Sequence, residues 1–102
     1  MEFDFKTKHL EDLYTKGRSK KYKLPVGVSK KYVERIGRIE AAVTINDLRE
    51  PPSKEFEKLE RYENRFSIRL NKQYRLEFEI EFEDKEKTFG SVLILDASNH
   101  YH

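Results

Sequence analysis

The sequence predicts an α+β fold: two N-terminal helices packed on one face of a twisted, mainly antiparallel sheet of four to five strands. Two observations carry the prediction. In the first half of the chain apolar residues recur at helical spacing, and from Phe66 onward they recur at every second position. Between the two halves stands Pro51-Pro52, which forbids helix and turns the chain.

Each element has its own signal. Phe3 and Phe5 alternate with Glu2 and Asp4, the pattern of an opening strand. Thr7 can cap a short helix whose Leu10, Leu13 and Tyr14 share one face, with Gly17 as its permissive stop. Lys20 to Val28, with Pro25 and Gly27, reads as a connecting loop. Ser29 then caps a second helix carrying Val33, Ile36, Ile39 and Val43 at helical spacing, ending between Thr44 and Arg49. After the prolines, Phe66, Ile68 and Leu70 alternate with Ser67 and Arg69. Tyr74, Leu76, Phe78, Ile80 and Phe82 continue the alternation against Arg75, Glu77, Glu79 and Glu81. Asn71-Lys72 should form the hairpin turn and Asp84 to Lys87 the next one. Val92 to Leu95, apolar throughout, reads as a strand covered on both sides.

The length of 102 residues fits one domain over 1–102. Hydrophobic residues, at 36%, are outnumbered by charged ones at 39%, but Phe and Tyr make up 13% and bury large areas, so a folded chain is expected over a disordered one. There is no cysteine, no apolar run near membrane-spanning length and no signal-like segment at Met1. The expected location is therefore the cytoplasm, with no membrane partner. Net charge is only +2, yet Lys16 to Lys31 holds seven basic residues and no acid. That block is either a solvated loop or a patch that steers an anionic partner.

Alternation has a functional consequence. If Phe66, Ile68 and Leu70 face the helices together with the Tyr74 to Phe82 set, Arg69 and Arg75 must emerge on the uncovered face. Two guanidinium groups there would suit phosphate oxygens, unless they pair across strands with Glu77 or Glu79.

A more particular pattern runs from Asn46 to Phe78. Asp47-Leu48-Arg49, Pro51-Pro52, Phe56-Glu57-Lys58-Leu59, Ser67-Ile68-Arg69-Leu70-Asn71 and Gln73-Tyr74-Arg75-Leu76-Glu77-Phe78 stand in order. In these motifs the chain resembles the HigB branch of the RelE/ParE toxin superfamily, the toxins of type II toxin-antitoxin modules. That branch tends to close on aspartate followed by Tyr-His; Asp96 and His100-Tyr101-His102 are the counterparts here, with Ala97-Ser98-Asn99 intervening. The family's basic loop is replaced by Leu59-Glu60-Arg61-Tyr62-Glu63-Asn64-Arg65, where the expected lysine falls on Glu60 or Arg61 and, of those two, only Arg61 can take its charge.

The resemblance implies a RelE-like fold and ribosome-dependent cleavage of messenger RNA without metal or organic cofactor. It also implies a cognate antitoxin, a helix-turn-helix protein through which alone operator DNA would be bound. The chemistry would be attack of a ribose 2′-hydroxyl on the adjacent phosphate. Arg75 would stabilise the transition state, Arg69 would bind phosphate, and Arg61 would assist from the altered loop. His102, or failing that His100, would move the proton, Tyr101 would stack or donate its hydroxyl, and Asp96 is a further catalytic candidate. Lys58 and Arg65 beside the loop are RNA-binding candidates. Lys20, Lys21 and Lys23 in the basic block are expected to give salt-sensitive affinity for ribosomal RNA or an acidic antitoxin segment. Two readings compete within the superfamily: a member that binds its partners with little or no catalysis, and a gyrase-directed toxin of the ParE type. Outside it stands a metal-binding terminus built on His100 and His102, for which His9 is the only other histidine.

Overall fold

The computed structural model describes residues 1–49 and 55–99. The element order is β1 (Phe3–Phe5), α1 (Lys8–Lys16), α2 (Val26–Ala41), α3 (Ile45–Arg49), β2 (Phe56–Lys58), β3 (Arg65–Arg69), β4 (Arg75–Phe82) and β5 (Gly90–Ser98). The strands form one sheet in the order β1-β5-β4-β3-β2. Among the described strands only β1 and β5 run parallel; the other neighbours are antiparallel. This is the expected α+β fold, with a third short helix added. Pro51 and Pro52 lie outside the described residues.

The N-terminal third follows local chemistry. Phe3 and Phe5 pair with Val92 and Ile94 of β5 and pack against Tyr14 of α1 at 5.7 and 5.6 Å between ring centres. Thr7 accepts the Leu10 N–H at 3.3 Å as the N-cap of α1, and Gly17 ends the helix at φ 75°, a left-handed conformation that favours glycine.

The second helix departs from the expected one at both ends. It begins at Val26, because the Pro25 carbonyl accepts the N–H groups of Val28 at 2.9 Å and Ser29 at 3.0 Å. Proline's fixed φ, here −56°, suits a helix start. Ser29 therefore sits inside the helix, and residues 26–28 are not loop. The buried stripe is Val28, Tyr32, Ile36 and Ile39, whereas Val33 is 36% exposed and Val43 lies beyond the helix end, 74% exposed. Aromatic Tyr32 takes the core position, its hydroxyl donating to the Leu10 carbonyl at 2.8 Å. The extended backbone of Ala42 stops α2, and α3 starts afresh. There Asp47 reaches back to accept the N–H groups of Thr44 at 3.0 Å and Val43 at 2.8 Å, the acidic half of a capping box.

The sheet's inner face carries Phe66, Ile68, Leu76, Phe78, Ile80, Val92 and Ile94, all buried against the helices. Asn71 organises the hairpin turn, its side-chain oxygen accepting from Gln73 N and Tyr74 N. The fifth strand, β2, had no signal of its own beyond its place in the motif; it is held by Phe56 stacked on Phe66 at 5.4 Å. In β5 one face is buried through Val92 and Ile94 while Leu93 and Leu95 are only half-buried, so the covering is one-sided. A register shift opposite Glu77/Phe78 lets Ala97 return to the core beside Leu76 and sets Asp96 opposite Glu77.

At Gly90 a Cβ would stand 2.0 Å from the Glu81 carbonyl oxygen. Gly90→Ala should therefore cost about 1–3 kcal/mol or more in urea denaturation, since β4 backbone cannot yield as a side chain can. The N–H groups of Thr44 and then Val43 hold the Asp47 carboxyl below its ordinary value of 3.8. A lowered folded pKa contributes stability above the unfolded value and loses it as pH falls through the folded one. The melting-temperature deficit of Asp47→Asn at pH 7 should accordingly shrink as melts are repeated below about pH 4.

Candidate functional site

The hairpin of β3 and β4 sets Arg69 directly opposite Arg75. Like charges in register oppose sheet formation, so such a pair needs compensation. The structure treats the two differently. Arg69 is exposed, and its guanidinium makes no ion pair among the described residues. Arg75 is only 6% exposed. Its Nε donates to Ser67 Oγ at 2.8 Å, and its Nη2 donates to the carbonyls of Glu55 at 2.9 Å and Ser67 at 3.3 Å. The Glu57 carboxylate stands 3.8 Å from the same nitrogen.

The expected pair of open arginines is thus one open and one sequestered. The physical reason lies in β3 and β2. From β4 the long Arg75 side chain reaches past Ser67 of β3 to carbonyl and carboxylate acceptors on the β2 side. Ser67 is itself buried on the face opposite Phe66 and Ile68.

Glu55 ties this face to the helices. Its carboxylate accepts from Arg35 and Arg38 of α2, each at 3.1 Å, while its carbonyl accepts from Arg75 Nη2 and from the Arg69 N–H at 2.8 Å. Arg35 Nε also donates to the Arg69 carbonyl at 3.1 Å. Both site arginines are therefore positioned by one residue that no pattern in the sequence marks.

Carboxylates flank the arginines. Along the hairpin Glu77 faces Ser67 and Glu79 faces Arg65, and Glu77 is also opposite Asp96 of β5. Asp96 accepts the Tyr22 hydroxyl at 3.0 Å. Burial first, then the charge of Asp96 and that hydrogen bond, push the Tyr22 phenol up to about 12, so it remains a donor at neutral pH. Burial raises Tyr32 further still. The contact pins the segment before α2 to the sheet.

The remaining candidates are dispersed. Lys58 Nζ donates to the Tyr62 carbonyl at 3.1 Å, and Arg65 covers the Tyr62 ring at 4.1 Å, so both are engaged with the Leu59 to Arg65 loop. Arg61 is exposed at its tip. Lys20 and Lys23 line a groove between α1 and α2 that includes neither Arg69 nor Arg75, while Lys21 sits 5.6 Å over Tyr22. His100, Tyr101 and His102 lie outside the described residues. The strand leading to them ends at Ser98, the register partner of Arg75. Among the described residues no group of three or more histidines and carboxylates is placed to hold a metal ion, and no helix is long and apolar enough to cross a membrane.

Ser67 and Glu55 were not singled out from the sequence. Ser67 carried a usable signal, since alternation sets it on the same face as Arg69. Glu55 carried none, because its role depends on where the chain re-enters the sheet. Removing the Ser67 hydroxyl strands a buried donor of Arg75, so Ser67→Ala should lower unfolding free energy by about 1–3 kcal/mol in a urea titration. A loss within measurement error would show that Arg75 does not depend on that acceptor.

Residues 3–92 match the HigB-like toxin family, described as the RelE-like toxin of the type II toxin-antitoxin system HigB. Over 85 residues the chain is 40% identical to an uncharacterized protein of Haemophilus influenzae, the match covering 78% of this chain and 83% of that one. It is 38% identical over 81 residues to Toxin HigB-1 of Vibrio cholerae, with the same coverage of 78% and 83%. In motif order and in fold the chain therefore belongs to the HigB-like toxins of type II toxin-antitoxin modules, a family that implies an antitoxin partner.

Proposed function

We propose that this toxin is a metal-independent endoribonuclease that cuts messenger RNA on the ribosome. The observation that carries the reading is the register pairing of Arg69 with Arg75, beside the strand end that leads to His100, Tyr101 and His102. His102 is four positions beyond Ser98 in the chain, a covalent reach of about 14 Å at most.

In the reaction a ribose 2′-oxygen bonds to the adjacent phosphorus, the bond to the 5′-oxygen breaks, and a proton passes from the 2′-hydroxyl to the leaving oxygen. Arg69, open to solvent, binds the phosphate, and Arg61 adds charge from the loop. Arg75, fixed by the Ser67 hydroxyl and the Glu55 carbonyl with the Glu57 carboxylate nearby, supplies a preoriented positive field at the developing charge. His102 or His100 moves the proton, and Tyr101 stacks on a base. Asp96, occupied by Tyr22, serves to place that segment instead of reacting. With Glu77 and Glu79 nearby and one arginine open, the face has weak affinity for free RNA, which favours substrate presented by the ribosome. The partner would be a helix-turn-helix antitoxin in the cytoplasm, and operator DNA would be reached only through it.

The sequestration of Arg75 favours a second reading, in which the chain binds its partners without efficient catalysis. Induced expression without antitoxin, with mapping of transcript ends, separates the two. Cleavage should accompany growth arrest, fall by about a hundredfold in Arg69→Ala, and fail when residues 100–102 are removed. Arrest with intact transcripts would establish the binding-only reading, and inhibition of supercoiling by the purified protein would move the chain to the gyrase-directed branch.

A further inference from the structure

We infer that the groove between the end of α1, residues 17–25 and the start of α2 is a docking site for an acidic peptide segment anchored by aliphatic side chains. The proposal rests on the family's pairing with a protein antitoxin and not on the nuclease reading.

The groove encloses about 950 Å³. Its apolar lining is Tyr22, Leu24, Val26 and Val33. Val26 is 74% exposed and Val33 36%, and their spacing of seven places both on one outward stripe of α2. Exposed aliphatic surface in a concave site is a recognition feature, where a purely solvated basic loop would have none.

The rim is basic: Lys16, Arg18, Lys20, Lys23 and Lys30. The two acids of the lining are already engaged, Asp12 with Lys8 at 3.7 Å and Lys16 at 3.6 Å, and Glu34 with Lys31 at 3.3 Å. The first turn of α2 has neither an acidic residue nor a side-chain cap, so its backbone adds positive potential at the same end. The wall is built and not merely draped: Ser19 Oγ accepts from Lys21 N and Tyr22 N, and the Tyr22 hydroxyl is held by Asp96.

Carboxylates over aliphatic anchors match both features of this groove. RNA matches only the charge, because Val26, Val33 and Leu24 offer no ring for a base to stack on. The one aromatic ring, Tyr22, is already approached by Lys21.

The test uses the full-length toxin, labelled with nitrogen-15 and titrated with a synthetic helical peptide of Glu and Leu at amphipathic spacing. Controls are the same peptide with Lys for Glu, polyglutamate, and single-stranded oligouridylate. The expected result is saturable shifts of amides between Tyr22 and Val33 with the Glu–Leu peptide alone. Binding should weaken by about tenfold in the Lys20→Ala, Lys23→Ala, Lys30→Ala triple variant and comparably in Val26→Ser with Val33→Ser; these exposed changes leave the spectrum otherwise folded. Equal binding by polyglutamate would overturn the proposal by showing a nonspecific basic surface, and tighter binding of oligouridylate in the groove would reassign it to RNA. Shifts elsewhere, or none at low salt, would also overturn it. Arg69→Ala should bind the peptide as wild type does, so failure of the nuclease reading and failure of this one are read separately.

Discussion

The molecule is organised around one long side chain laid across a small one. Arg75 crosses β3 over Ser67 and ends at the Glu55 carbonyl, and Glu55 in turn grips two arginines of α2. Through that chain of contacts the helix layer, the edge strand β2 and the central hairpin are held in one arrangement. A buried guanidinium must have its donors met, and the groups that meet them come from segments far apart in sequence. The site and the fold are therefore not separable here: what positions Arg75 also seats β2 against β3 and β3 against the helices.

The same arrangement divides labour between two like charges. Arg69 and Arg75 are opposite each other, which sheet energetics disfavours, yet one is drawn beneath the surface and the other left in water. Sequestration lowers their mutual repulsion by surrounding Arg75 with oxygen acceptors. It also leaves a single open guanidinium bordered by carboxylates. On the proposed reading such a face would take a phosphate delivered in a fixed pose better than a loose polyanion.

Positive charge is instead concentrated on the other side of the Tyr22–Asp96 contact, around the groove at the start of α2. There it frames aliphatic surface. On the proposed readings the two regions would serve different partners, RNA at the arginine hairpin and a protein segment at the groove.

Much of this was legible from the residues. The change of apolar period after Pro51-Pro52, the Thr7 and Gly17 caps and the Asn71 turn each act through neighbours a few positions away, and each element formed as its local chemistry required. The family itself was carried by contiguous motifs. Where local options compete, the residues do not choose between them: Pro25 and not Ser29 starts α2 through its own carbonyl and fixed φ, whereas Tyr32 and Val28, not Val33 and Val43, face the core because distant groups, Leu10 and the sheet, lie on that side. Alternation alone set Arg69 and Arg75 on one face, since period 2 is a property of the extended backbone. Which of them is open to solvent was decided by tertiary structure, because burial and hydrogen-bond satisfaction depend on Ser67, Glu55 and Glu57 arriving from two other strands and the chain before them.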